Sequence, residues 1–240
     1  KEQRRDMREK ALQTPTPEGG TDAYHKAKEK KKKNNWFFAK QFENEDNSMV
    51  HEQTTGEEIV NDFKDIGLDY WVSGYGTGGT FTGVSRVLRK KMPNTKLILT
   101  EPDVAQLIGS NKEQIRNNDG SASQSHPEWN PHPIQGWTTD FIPLVLQESI
   151  DNQYFDELIP VSGNDGIFWA NELAKKEGII TGVSGGSTFA IAVEVAKKAM
   201  KGSKILCMLP DTAERYMSSI LFDDIEEEMN DDELSIFDSV

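Results

Sequence analysis

The sequence predicts an α/β protein with a mostly parallel sheet flanked by helices. Three observations carry that prediction. Residues 69–73 (DYWVS), 96–100 (KLILT) and 204–209 (KILCML) are short apolar runs of strand length. Amphipathic stretches with helical spacing cover Phe81–Lys91, Phe168–Lys176 and Thr188–Met200. Between the first run and the first of these stretches lies a glycine-rich turn, Ser73–Thr80, the kind of connection that joins a strand to a crossover helix.

The bulk properties fit this class. A chain of 240 residues holds one large domain, or one domain and part of another. Hydrophobic residues make up 35% and charged residues 28%, so a core is possible only if charge is segregated. It is: residues 26–33 (KAKEKKKK) are basic, and residues 223–240 (DDIEEEMNDDELSIFDSV) carry acids and no base. A net charge of −13 argues against a nucleic-acid partner, because phosphate binding needs clustered Lys and Arg; the lysine run reads as a solvated helix face. No apolar stretch of about 18 residues is present, so no spanning helix and no membrane partner is expected. The lone Cys207 suits a reducing compartment, cytoplasmic or an organellar matrix.

In chain order, residues 1–11 are charged and helix-compatible, and the Pro/Gly/Thr-rich residues 14–22 read as a loop. Asp22 is placed to cap a helix through the lysine run, followed by the apolar Trp36–Ala39. Residues 110–135 read as a long polar loop or lid. Pro210 ends the last strand, and the acidic tail is expected to stay disordered, since it buries little and repels itself.

The glycine turn holds most of the chemistry. Glycines let the backbone approach a ligand closely, successive N–H groups converge, and the following helix adds partial positive charge. With the hydroxyls of Thr77 and Thr80, Gly76, Gly78 and Gly79 make a site for a phosphate monoester. The same turn also fits a dinucleotide fingerprint, with Gly74, Gly76 and Gly79 in G-x-G-x-x-G spacing and Glu101 as the ribose-binding acid of a nicotinamide oxidoreductase.

Four segments, in one order, decide between these. They are Gln41–Asn44 with His51 and Thr54–Ile59; Gly74–Thr80 with Gly83; His132–Gly136 with Asp140–Pro143; and Gly182–Ser187 followed by Leu209–Tyr216. Together they resemble the cysteine synthase (O-acetylserine sulfhydrylase) and cystathionine β-synthase family, over roughly residues 1–222. The resemblance implies fold type II of the pyridoxal 5′-phosphate enzymes, a large and a small domain clamping the cofactor. By it, residues 1–44 are the remnant of the small N-terminal domain, 45–222 the large cofactor-binding domain, and 223–240 an acidic tail outside the family pattern.

The resemblance also implies roles. Gly76, Thr77, Gly78, Gly79 and Thr80 cradle the cofactor phosphate. Thr212, or its rival Asp211, faces the pyridine nitrogen. Gln41 lies beside the substrate carboxylate, and Gly136 keeps the cleft floor open. His51 is a structural histidine before it is an acid or base, Glu101 is structural, and Gly182–Ser187 is the start of a helix before it is a second anion site. The family's Schiff-base lysine has no counterpart in this chain and is expected upstream, so no catalytic residue is assigned here and the chain alone is expected to be inactive. The chemistry implied is β-replacement on O-acetylserine with sulfide to give cysteine. A condensation of the cystathionine β-synthase type, a non-catalytic binding remnant and the NAD-dependent oxidoreductase of the dinucleotide reading are the alternatives. The resemblance further implies a homodimer, and a cleft able to take the C-terminal peptide of serine acetyltransferase. Two departures stand out: residues 11–17 look short of the family's strand, and Trp137 follows Gly136 where glycines are usual.

Overall fold

Parallel strands need long crossovers, and the apolar runs of this chain are spaced to provide them. In the computed structural model, which describes residues 19–34, 37–223 and 228–239, the described residues begin with α1 (Gly19–Asn34), α2 (Asp46–Gln53) and α3 (Thr55–Phe63). There follow β1 (Tyr70–Gly74), α4 (Gly79–Lys91), β2 (Lys96–Pro102), α5 (Leu144–Asp151), β3 (Glu157–Val161), α6 (Gly163–Glu177), α7 (Val183–Lys198) and β4 (Ile205–Cys207). Two 3-10 turns and α8 (Asp231–Phe237) complete it. The four strands form one parallel sheet in the order β3-β2-β1-β4. Val72 sits in register with Ile98 on one side and Cys207 on the other, so β1 is central.

Side chains alternate across the sheet, and each face builds its own core. Trp71, Leu97 and Leu99 point into one cluster with Phe81, Leu88 and Leu146; Val72 and Ile98 point into the other with Val161, Ile191 and Val195. Trp71 stacks on Phe81 with ring centroids 5.2 Å apart. Gly166 and Gly186 let α6 and α7 touch closely: a Cβ on Gly186 would lie 2.7 Å from the Ala170 nitrogen.

Several expectations need correction. The helix through the lysine run starts at Gly19, so Asp22 lies within it and does not cap it. The helix expected over Thr188–Met200, with Gly182–Ser187 as its glycine-rich start, spans Val183–Lys198, and Gly186 within it packs on Gly166 and Ala170. The tail expected to be disordered carries α8, with a reciprocal capping box between Asn230 and Glu233, although it buries no residue. The runs expected at 1–11 and 11–17 lie outside the described residues. Residues 103–143 do run without helix or strand, apart from one antiparallel bridge between Arg116 and Ala122. Among the described residues, no helix is long and apolar enough to cross a membrane.

Candidate active site

In an open parallel sheet, ligands bind beyond the carboxyl ends of the strands, where helix N-termini also gather. Here β1 runs into the glycine turn and α4, while its neighbour β4 runs into Pro210 and Asp211. A cavity of about 200 Å³ opens between them, its wall formed by Gly76, Thr80, Gly136, Trp137, Ser184 and Asp211, among others.

The glycine turn is shaped by close approach. Gly78 caps α4 at φ +86°, a left-handed conformation that glycine adopts without strain. A Cβ on Gly76 would strike the Gly136 carbonyl, and one on Gly79 would strike Asn47. Thr77 is fixed by Asn47, whose Nδ2 donates to Thr77 Oγ1 at 2.8 Å and to the Gln41 carbonyl at 2.7 Å. Thr80 Oγ1 lies 3.1 Å from His51 Nε2, and His51 Nδ1 lies 2.9 Å from Thr55 Oγ1. Burial lowers the His51 pKa and favours the neutral ring. When Nε2 carries the ring proton, Thr80 accepts from it and keeps its own O–H for the cleft.

Across the cavity, Asp211 accepts a hydrogen bond from the Tyr216 hydroxyl through Oδ2, while its Oδ1 is buried with no partner. Burial, with Asp211 second, pushes the Tyr216 phenol up to about 12. Oδ1 packs toward Gly182, and it is the residue as a whole that borders the cavity opposite the glycine turn. The glycine cradle, with a polar wall opposite it, therefore suits a ring-bearing phosphate monoester such as pyridoxal phosphate. Ser184 and Thr188, on the first turns of α7, face the same cavity.

The sequence-derived residues divide as follows. Gly76, Thr80, Gly136 and Asp211 line the cavity, and Gly78, Gly79 and Thr77 shape the turn behind it. Thr212, ranked ahead of Asp211 in the sequence, is exposed, is bridged through its backbone to Thr181, and is absent from the cavity wall. Gln41 is exposed in a turn and reaches the site only through its carbonyl on Asn47. Trp137 does stand at the cleft, packed so tightly on Gly74 that no Cβ fits between them.

Glu101 excludes the dinucleotide reading. It is fully buried; Oε1 accepts from Gly109 N at 2.8 Å, and Oε2 from the Tyr75 hydroxyl at 2.9 Å and Ile108 N at 3.1 Å. No oxygen is left for a ribose. Sequence reasoning passed over Asn47 and Thr188, whose only signals were their places beside the quoted motifs, and gave Ser184 no role beyond its place in Gly182–Ser187.

Comparison with known proteins bears on the same residues. A family model described as pyridoxal-phosphate dependent enzyme matches residues 11–211. O-ureido-L-serine synthase of Streptomyces lavendulae is 37% identical over 213 residues, covering 89% of this chain and 60% of that protein. Cysteine synthase of Staphylococcus aureus (strain Mu50) is 35% identical over 209 residues, covering 87% and 61%. A crystal structure of O-ureido-L-serine synthase superposes with a TM-score of 0.80 at 35% identity, over 93% of this chain and 65% of that one. The chain thus spans about three-fifths of the length of the relatives it matches. Likeness of that extent means that the chain belongs to the pyridoxal-phosphate dependent enzyme family, in its cysteine synthase-like branch.

Proposed function

We propose that this chain provides the phosphate cradle and cleft wall of an enzyme that replaces the β-substituent of an activated serine. The observation that carries the reading is the placing of Gly76 and Thr80 of the glycine turn on one wall of a cavity that Asp211 also lines. Pyridoxal phosphate, when bound, supplies the electron sink for chemistry at the α- and β-carbons of an amino acid. The chain's own residues hold and orient. Backbone N–H groups at the start of α4 and the Thr80 hydroxyl bind the phosphate dianion, helped by the helix dipole. Asp211, on the opposite wall, would face the ring nitrogen of the bound cofactor, the role that the resemblance gave first to Thr212. Gly136, at φ +85° with open space around its α-carbon, leaves room for the substrate backbone. Trp137 narrows the cleft on the β1 side.

The reaction proposed first is O-acetylserine with sulfide to give cysteine. Cysteine and O-ureido-L-serine, for which two relatives are named, are both alanines substituted at the β-carbon and differ in the substituent. The donor half of the reaction is therefore the firmer part of the proposal, and the nucleophile the part to be tested. Serine with homocysteine is the second pairing to try.

The first test is binding by the chain itself, read by quenching of tryptophan fluorescence. Pyridoxal phosphate is expected to bind more tightly than pyridoxal, which lacks the phosphate; equal affinities would remove the basis of the proposal. The second test assays the full-length gene product with O-acetylserine and sulfide, then with serine and homocysteine. Release of acetate without either nucleophile being taken up would keep the donor and discard both acceptors.

A further inference from the structure

We propose that Tyr75 is a positioning residue for the phosphate-binding turn, holding the turn in its anion-binding shape through the buried Glu101. The inference rests on the reading of that turn given above. Four of the six residues from Gly74 to Gly79 are glycine, and a backbone of that composition has many conformations to lose. Tyr75 is the one large side chain among them, and it is 1% exposed.

Its two ends are tied to different parts of the cleft. The phenol donates to Glu101 Oε2 at 2.9 Å, at the end of β2, and Glu101 also holds the backbone N–H groups of Ile108 and Gly109. The Tyr75 carbonyl accepts from Thr138 N at 2.8 Å, next to Trp137 on the cleft floor. One residue thus fixes the turn against the segment after β2 and against the floor that carries Gly136. A loop ordered during folding does not have to be ordered again on binding, so the anchor should appear as affinity for an anion.

A purely structural tyrosine and a positioning tyrosine differ in one observable. The phosphate increment is the ratio of pyridoxal to pyridoxal phosphate dissociation constants, each measured on the chain by tryptophan fluorescence. Tyr75→Phe keeps the ring that fills the core and removes only the hydroxyl. The expected result is that this variant folds, binds pyridoxal as the wild type does, and loses about tenfold in affinity for pyridoxal phosphate. Amide hydrogen exchange should quicken over Gly76–Thr80 and stay unchanged in α6 and α7.

An undiminished phosphate increment in Tyr75→Phe overturns the proposal. So does an equal loss for both ligands, which would mark general damage. If the wild type shows no increment at all, the functional reading fails and this inference fails with it. An increment present in the wild type and kept in the variant refutes only the role of Tyr75.

Discussion

Replacing Gly78 by alanine separates backbone strain from steric overlap, because Gly67 provides a matched control. Both glycines have positive φ, +86° and +76°, so alanine at either position is strained by about 1–2 kcal/mol. Their surroundings differ. A Cβ on Gly67 meets nothing within 4 Å, whereas one on Gly78 would lie 2.6 Å from Leu146 Cβ and 3.0 Å from its Cα. Ordinary carbon–carbon contact is about 3.5–4.0 Å, so the turn and α5 must part by about 1 Å. Leu146 is fully buried, and α5 is held to α4 by Thr82 Oγ1 donating to the Val145 carbonyl at 3.0 Å, so the displacement has little slack to use. Overpacking of that kind costs about 1–3 kcal/mol. Gly78→Ala should therefore be less stable than Gly67→Ala by about that amount in urea unfolding. It should also lose affinity for pyridoxal phosphate, which Gly67→Ala should keep. Equal losses of stability in the two variants, at unchanged denaturant slope, would show that the turn is not wedged against α5 and refute the steric argument.

Three further outcomes are expected. Asp140 is buried and accepts from Thr21 N at 2.9 Å and Thr21 Oγ1 at 2.7 Å, so Asp140→Ala leaves two buried donors unmet at about 1–3 kcal/mol each. Trypsin should then cut the lysine-rich α1 faster than in the wild type, and an unchanged rate would mean that α1 is held elsewhere. His51 and His132 both have lowered pKa values from burial, so the unfolded chain binds more protons and stability falls as pH drops through the ordinary imidazole value near 6.5. The loss in urea midpoint between about pH 7.5 and about pH 5.5 should shrink in a His51→Gln, His132→Gln double variant. Finally, burial pushes the Cys207 thiol up to about 11, so a thiol reagent near pH 8 should react slowly with the folded chain and rapidly after unfolding.

Much of the sheet was legible because buried parallel strands must be apolar, and β1, β2 and β4 are. β3 was not, for a physical reason: it lies at the sheet edge, where half-exposed residues and Pro160 are tolerated. The glycine turn announced itself, since few other roles need four glycines beside two threonines. Asn47 did not, because its function exists only once the fold brings it to Thr77, 30 residues away. Gly186 reads in the string only as part of a glycine-rich helix start, yet in space it is where that helix meets Gly166 and Ala170 of its neighbour. The signal for α8 was present as Asn230 and Glu233, but the acidic composition outweighed a local cap. That Asp211 lines the cavity and Thr212 does not depends on which way one turn of chain faces after β4, which spacing does not encode.

The strand order has a consequence for synthesis. β1 takes its second neighbour from β4, and Val72 precedes its partner Cys207 by more than half the chain. A ribosome adding about 5–20 residues per second needs on the order of ten seconds to cover that interval. Throughout it, one edge of the central strand has no neighbour to bond, and the anion turn has only half of its opposing wall. The nascent chain thus carries an apolar, unpaired edge for a time that is long against collapse, and molecular chaperones that shield such edges have their opportunity in that window.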